Sequence, residues 1–258
     1  MGLSAGSGFS KMKIKTDAIV LRDNKLESDR ALTLLSRELG VITAYAGGAN
    51  RIRSGLAGPT ELLCYSGFVL FKHRGRYSVN SADAIRTFFG LREDVEKLAL
   101  ASYFAQLSGE LCDRHGAPAY LRLLLNTLHF LEKGKRSPLL LKPIFELRIL
   151  TMSGYMPNLV ACRECAAYEA DTMLFSPKSG GLLCPQCSTG HENEGTPIPP
   201  GVLAAMRHII YCGPEKLFSY GIAGGGLALL GRVAENYLQY QLEKTLPTLE
   251  FWRALSGA

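Results

Sequence analysis

Apolar and polar positions alternate along the first third of the chain and then switch to a helical period. Lys13 to Arg22 alternates and is rich in β-branched residues, as a half-buried strand should be. Arg30 to Glu38 is ambiguous by pattern: Ala31, Leu32, Leu34, Leu35 and Leu39 fit a helix stripe, whereas Leu32 and Leu34 alternate as on a strand. Gly40 marks a turn into the strand-like run Val41 to Tyr45. Leu62 to Phe71 predicts a further strand, turned by Lys72-His73-Arg74-Gly75-Arg76 and returned by Tyr77-Ser78-Val79. Five short strands within this span suggest a small β-barrel of the oligonucleotide-binding (OB) type.

From Leu91 onward the period is helical. Leu91, Val95, Leu98, Ala99, Tyr103, Leu107 and Leu111 recur at three and four, predicting a helix to about Arg114. A leucine-rich helix follows over Tyr120 to Glu132, and Ser137-Pro138 opens a third that runs to Gly154. Ser188 to Pro200 reads as a polar loop, Val202 to Tyr211 as another helix, and Leu227 to Leu246 as the last. The class is therefore α+β and multidomain: a barrel over residues 12–88, then a helical domain over 89–258 with an insertion at 158–190. Residues 1–11 are small and Gly/Ser-rich, and are expected to be a flexible leader or cloning scar.

Composition adds little until charge is mapped. The 258 residues are 47% hydrophobic, ample for packed cores. No apolar run is long enough to span a bilayer and no signal peptide is evident, so a cytoplasmic location is expected. The net charge of +6 lies wholly in the first third: residues 11–90 hold 13 Lys/Arg against 7 Asp/Glu, and the remainder holds 16 of each. A basic face on one small domain suits a polyanion, because neutralised phosphates release counterions. The expected DNA-contacting set is Lys13, Lys15, Arg30, Arg51, Arg53, Lys72, Arg74 and Arg76. Arg51 and Arg53 sit in a glycine-rich segment, Gly47 to Gly55, where backbone approaches a polyanion closely. Tyr45, Tyr65, Phe68, Phe71 and Tyr77 interleave with these cations, some placed to stack on bases and most to fill the core.

The sharpest chemical signal is Cys162-Arg163-Glu164-Cys165, eighteen residues, then Cys184-Pro185-Gln186-Cys187. Two C-x-x-C knuckles at this separation match a structural four-thiolate zinc site, with no coordination position left for a catalytic water. A redox dithiol needs only one pair. Zinc deaminases need H-x-E, which the chain lacks. A thiol or zinc enzyme and a zinc-containing nucleic-acid-binding regulator remain as alternatives to a non-enzymatic DNA-binding protein. His191 and His208 are expected to be surface and packing residues.

Five segments taken together resemble the RecO family of bacterial DNA repair proteins: Asp17 to Arg22, Glu27 to Gly40, Leu91 to Tyr103, Phe145 to Leu150 with Gly154 to Pro157, and Phe175 to Cys187. The resemblance implies an OB-fold domain, a helical domain and a zinc-binding hairpin inserted in the latter. It resolves Arg30 to Ser36 and Val41 to Ala46 as paired strands. It also implies a recombination mediator that binds single- and double-stranded DNA, anneals strands, engages the acidic C-terminal tail of the single-stranded DNA-binding protein SSB, and acts with RecR to help load RecA. For the tail, a greasy pocket with a nearby cation is expected, with Arg122 and Arg148 as candidate cations. The location so implied is cytoplasmic and nucleoid-associated. One departure stands out: Gly47 and Asn50 occupy positions where the family usually carries basic residues.

Overall fold

The computed structural model describes residues 12–257; the expected leader, 1–11, lies outside them. The chain divides into two compact units that are not sequential. One holds residues 12–89 together with Ser108–Leu121, the other Gly90–Leu107 together with 122–257.

The first unit is built on a closed five-stranded barrel with strand order β1-β2-β3-β5-β4. Its strands are β1 (Met12–Leu26), β2 (Asp29–Ser36), β3 (Gly40–Ala46), β4 (Tyr65–His73) and β5 (Arg76–Arg86). The long first strand closes the barrel. Its first half pairs with β4, from Met12 opposite Lys72 to Ile19 opposite Tyr65, and its second half pairs with β2. A bulge between Val20 and Arg22 bends it from one partner to the other. The remaining seam is a short parallel contact, Ala44 with Tyr77 and Tyr45 with Ser78. With both ends of the sheet joined, no edge strand is left open.

Alternation then fixes what lies inside. Ala18, Val20, Leu32, Leu34, Phe68 and Leu70 fill the barrel, with Ile14 and Tyr77 packed against them. Each large apolar side chain so buried contributes roughly 1.5–3 kcal/mol. Gly40 shows how tightly this unit is packed: its φ is +73°, and an added Cβ would lie 2.9 Å from the backbone of Arg114.

The second unit is mainly helical. The chain enters it in α1 (Val95–Leu111) and returns to it along α2 (Ala117–Lys133). Then come α3 (Pro138–Met152), α4 (Pro200–Tyr211), α5 (Gly224–Leu242) and α6 (Pro247–Ser256). The central element is α3, buried on every side from Leu140 to Leu147 and packed on α4 and α5. Burying a helix all round traps its polar residues, and here they pair with one another, although Glu146 Oε2 has no partner among the described residues. Lys142 Nζ lies 2.8 Å from Glu146 and 2.6 Å from Glu235, Tyr103 donates its hydroxyl to Glu146 at 2.6 Å, and Arg253 pairs with Glu235.

Two sequence expectations change. The final helix ends at Leu242, and Pro247 starts a separate one that buries Leu249 and Trp252. The loop expected over 188–200 contains a strand. β8 (Thr196–Ile198) pairs with β6 (Met173–Ser176), which also pairs with β7 (Gly181–Leu183), so the expected hairpin is a three-stranded sheet in the order β7-β6-β8.

Candidate nucleic-acid interface and metal centre

The four cysteines converge. Their sulfurs all lie within 4.8 Å of one another, and Cys165 Sγ is 3.5 Å from Cys184 Sγ. A tetrahedral ion with zinc–sulfur bonds of about 2.3 Å needs sulfurs about 3.8 Å apart, so the set fits such an ion. Backbone hydrogen bonds shape both knuckles: Ala166 N–H donates to the Cys162 carbonyl and Ser188 N–H to that of Cys184. Ala166 holds φ at +60° to complete its turn. A bridge between Cys162 and Leu182 fastens the first knuckle to the small sheet.

The sulfurs do not share one electrostatic setting: Cys162 is lowered, whereas Cys165 and Cys187 are raised. Burial pushes the Cys162 thiol up, but N–H groups of Cys165, Cys184 and Glu164 outweigh it and bring the pKa down to about 6. Cys187 is pushed to about 12, chiefly through its contacts with Cys165 and Cys184, as expected of sulfurs crowded without a cation. Bound there, a divalent ion would supply the charge that lets all four ionise, and its work would be to fasten the two knuckles together. His191 is engaged with Glu194 at 3.0 Å, and His208 contacts the Lys216 carbonyl and stacks on Tyr220. The sequence reading missed Arg207. This side chain donates to the carbonyls of Leu159, Val160 and Tyr168 and covers the Tyr168 ring at 4.3 Å, bracing the segment that leads into and out of the first knuckle.

In the barrel, Lys13, Lys15, Arg51, Arg53, Arg74 and Arg76 are exposed, and Lys72 is half-buried with its ammonium 5.2 Å above the Tyr77 ring. Pairing gathers several of them. Met12 and Lys13 face Lys72 and Phe71, and His73 faces Arg76 across a two-residue turn. Arg74 and Gly75 hold that turn at φ +47° and +80°, the backbone of a type I′ hairpin.

Arg30 does not join this surface. It is 6% exposed, shares the inward phase of Leu32 and Leu34, and donates to Asn50 Oδ1 at 2.7 Å, the Ala57 carbonyl at 3.0 Å and Thr60 Oγ1 at 3.2 Å, with Asp23 3.4 Å away. Its charge is consumed inside the fold, and the alternation of β2 already contained the signal. The segment after β3 is also more ordered in its contacts than a free loop. Asn50 donates to carbonyls of Leu26, Glu27 and Asp29, and the Gly48 N–H donates to the Asp29 carboxylate at 2.7 Å. That bond, with the Ser28 hydroxyl and the charge of Arg51, holds Asp29 below its usual pKa. Asn50 is thus an anchor for the segment that carries Arg51 and Arg53.

In the helical unit, Arg122 is exposed. Arg148 is half-buried and caps α4, its Nη1 donating to the carbonyls of Ile209 and Ile210. A cavity of about 500 Å³ opens elsewhere in this unit, between α3, α5 and α6. Leu139, Leu227 and Trp252 line it, with Lys142, Arg232 and Arg253 as cations and Glu235 among them.

Comparison with known proteins agrees with this architecture. Residues 12–88 match the family model described as Recombination protein O N terminal, and residues 92–250 match Recombination protein O C terminal. The chain belongs to the RecO family. RecO proteins similar to it, each named DNA repair protein RecO, include one from Acetivibrio thermocellus, 36% identical over 244 residues, which span 94% of this chain and 97% of that protein. Another, from Dehalococcoides mccartyi, is 33% identical over 247 residues, covering 95% of this chain and 96% of the relative. A third, from Symbiobacterium thermophilum, is 32% identical over 94% of this chain and 97% of its own length. RecO is a family of DNA repair and recombination proteins, and the N-terminal barrel is its OB-fold. Among the described residues no helix is long and apolar enough to cross a membrane.

Proposed function

We propose that this RecO-family chain is a non-enzymatic recombination mediator, cytoplasmic and nucleoid-associated, that binds single- and double-stranded DNA and anneals complementary strands. The basic barrel neutralises phosphates on two strands and so allows them to approach long enough to pair. The helical unit engages the acidic C-terminal tail of SSB. With RecR, the protein helps RecA load on SSB-coated DNA. A structural zinc ion on Cys162, Cys165, Cys184 and Cys187 fastens the inserted sheet.

The observation that carries the DNA-binding reading is the concentration of exposed cations on the β1–β4–β5 ribbon and its turn: Lys13, Lys15, Arg74 and Arg76, with Lys72 beside them. The cavity between α3, α5 and α6 supports the tail reading, since it combines apolar walls with Arg232, while Lys142 and Arg253 at its wall are paired with carboxylates. It is favoured over Arg148 as the seat because Arg148 Nη1 is already engaged on the α4 carbonyls.

The test is annealing of SSB-coated complementary oligonucleotides across a salt series. Alanine at Arg51 and Arg53, and separately at Lys72, Arg74 and Arg76, should slow annealing and reduce the salt slope by about one for each phosphate no longer neutralised. Unchanged annealing in both variants would overturn the assignment.

A further inference from the structure

Of the five aromatic residues interleaved with the barrel's cations, three are committed to the fold. Phe68 is in the core, Tyr65 is 9% exposed and accepts a hydrogen bond from Arg37, and Tyr77 packs against the core beneath Lys72. The other two are not. Tyr45 is 45% exposed, Phe71 is half-buried, and neither side chain makes a ring, cation–π or hydrogen-bond contact among the described residues.

Strand register places these two rings in one row. Tyr45 on β3 pairs with Ser78 on β5, Ser78 with Phe71 on β4, and Phe71 with Lys13 on β1. All four lie in the outward phase, opposite to Ala44, Leu70, Val79 and Ile14. With strands about 4.8 Å apart, the two aromatic residues stand about 10 Å apart across the small Ser78. Charge frames the row unequally. His73 and Arg76 lie just beyond it on the hairpin side, and Lys15 occupies the next outward position of β1. Farther down the same face, Asp83, Gly67 and Asp17 form a row with two carboxylates. A polyanion is therefore attracted to the aromatic row and repelled below it.

Resting on the reading of this barrel as a DNA-binding surface, we infer that the row Tyr45–Ser78–Phe71–Lys13 is a stacking platform for unpaired bases of single-stranded DNA. The cations Lys13, Lys15 and Arg76 hold the backbone alongside it. A duplex keeps its bases stacked on one another, with no face free for a side chain, so these rings distinguish single strands from duplex while the cations serve both. A gap of about 10 Å is about three times the 3.4 Å rise per nucleotide of a stacked strand. The platform therefore seats two bases that are not neighbours in a stack, and favours a strand held open for pairing.

The experiment measures equilibrium binding of full-length protein to a thymidine oligonucleotide and to a duplex of equal length, at one salt concentration. The variants are Tyr45→Leu and Phe71→Leu, which keep apolar volume but remove the π face, and Tyr45→Phe and Phe71→Tyr, which keep it. Thermal melts confirm that each is folded. Each leucine variant should weaken single-strand binding by roughly five- to a hundredfold and duplex binding by less than about twofold, with the aromatic swaps close to wild type. A 2-aminopurine base in the oligonucleotide should be quenched on binding wild type and less so on binding the leucine variants. Leucine variants that bind both DNA forms like wild type, or lose both equally, overturn the platform. Alanine at Lys72, Arg74 and Arg76 is the control for the underlying reading. It should weaken both DNA forms, and if it changes neither, the DNA-binding surface itself is refuted and the platform with it.

Discussion

Replacing Arg30 by methionine removes a charge and its donors while keeping much of the side chain's length. Arg30 satisfies Asn50, Ala57 and Thr60 and is the cation nearest Asp23, at 3.4 Å. The Asp23 side chain is only 8% exposed, and its Oδ1 already lacks a hydrogen-bond partner. Burial raises the Asp23 pKa above its ordinary value, while Arg30 and then Lys25 pull it down. Without Arg30, a buried carboxylate is left uncompensated, which costs about 3–5 kcal/mol. Against a typical stability of about 5–15 kcal/mol this is large, and the melting temperature should fall by about 10 °C or more.

The sign of the pH dependence follows. Asp23 has a raised folded pKa, and losing Arg30 raises it further. The stability tied to its proton is present below the ordinary aspartate pKa and is lost as pH rises through the folded value. The destabilisation of Arg30→Met should therefore be greatest near neutrality and shrink on acidification, and Asp23→Asn in the same background should recover part of it. Thermal melts of the single and double variants across pH provide the assay, with DNA binding measured on folded protein. A variant that melts like wild type yet binds DNA more weakly would refute this reasoning and return Arg30 to the DNA surface.

Three further outcomes are expected. Freshly purified protein should carry about one zinc per chain, and Cys165→Ala or chelation should release it and loosen residues 158–198 in hydrogen exchange, as metal binding is coupled to folding at such sites. Lys142→Met should cost about 3–5 kcal/mol in chemical denaturation by leaving the buried Glu146 without its cation, whereas Tyr103→Phe, which removes one donor from a charged acceptor, should cost about 1.5–3 kcal/mol. Arg74→Asn should raise stability by about 1 kcal/mol in thermal melts, because Asn tolerates the φ of +47° better than Arg, while lowering DNA affinity through the lost charge.

The parts legible in the sequence were those encoded locally. Two C-x-x-C turns carry their ligand geometry within four residues each, so spacing alone predicted the cluster. The alternation of Lys13 to Val20 separated exposed lysines from core residues. Register was not legible. Nothing in the order of residues shows that Tyr45, Ser78, Phe71 and Lys13 share a row, because that depends on a seam between β3 and β5 more than thirty residues apart. β8 escaped because three residues with a central proline carry no period, and their partners on β6 supply the evidence. Arg207 and Arg148 bind backbone carbonyls 39 to 62 residues distant, which no local pattern encodes. For α6, Pro247 was a start signal lost in the expectation of a single long helix.

The tip of the α1–α2 hairpin, Ser108–Leu121, groups with the barrel, so the polypeptide passes between the two units three times. Such an interleaved chain cannot be dissected with one cut. A fragment ending at residue 88 lacks a piece of the unit it is meant to isolate, including Arg114 beside Gly40. The complementary fragment retains that piece without the strands it belongs to. Loss of DNA binding in either half would then report a broken fold, and substitutions in the intact chain are the sound way to separate the roles of barrel and helices.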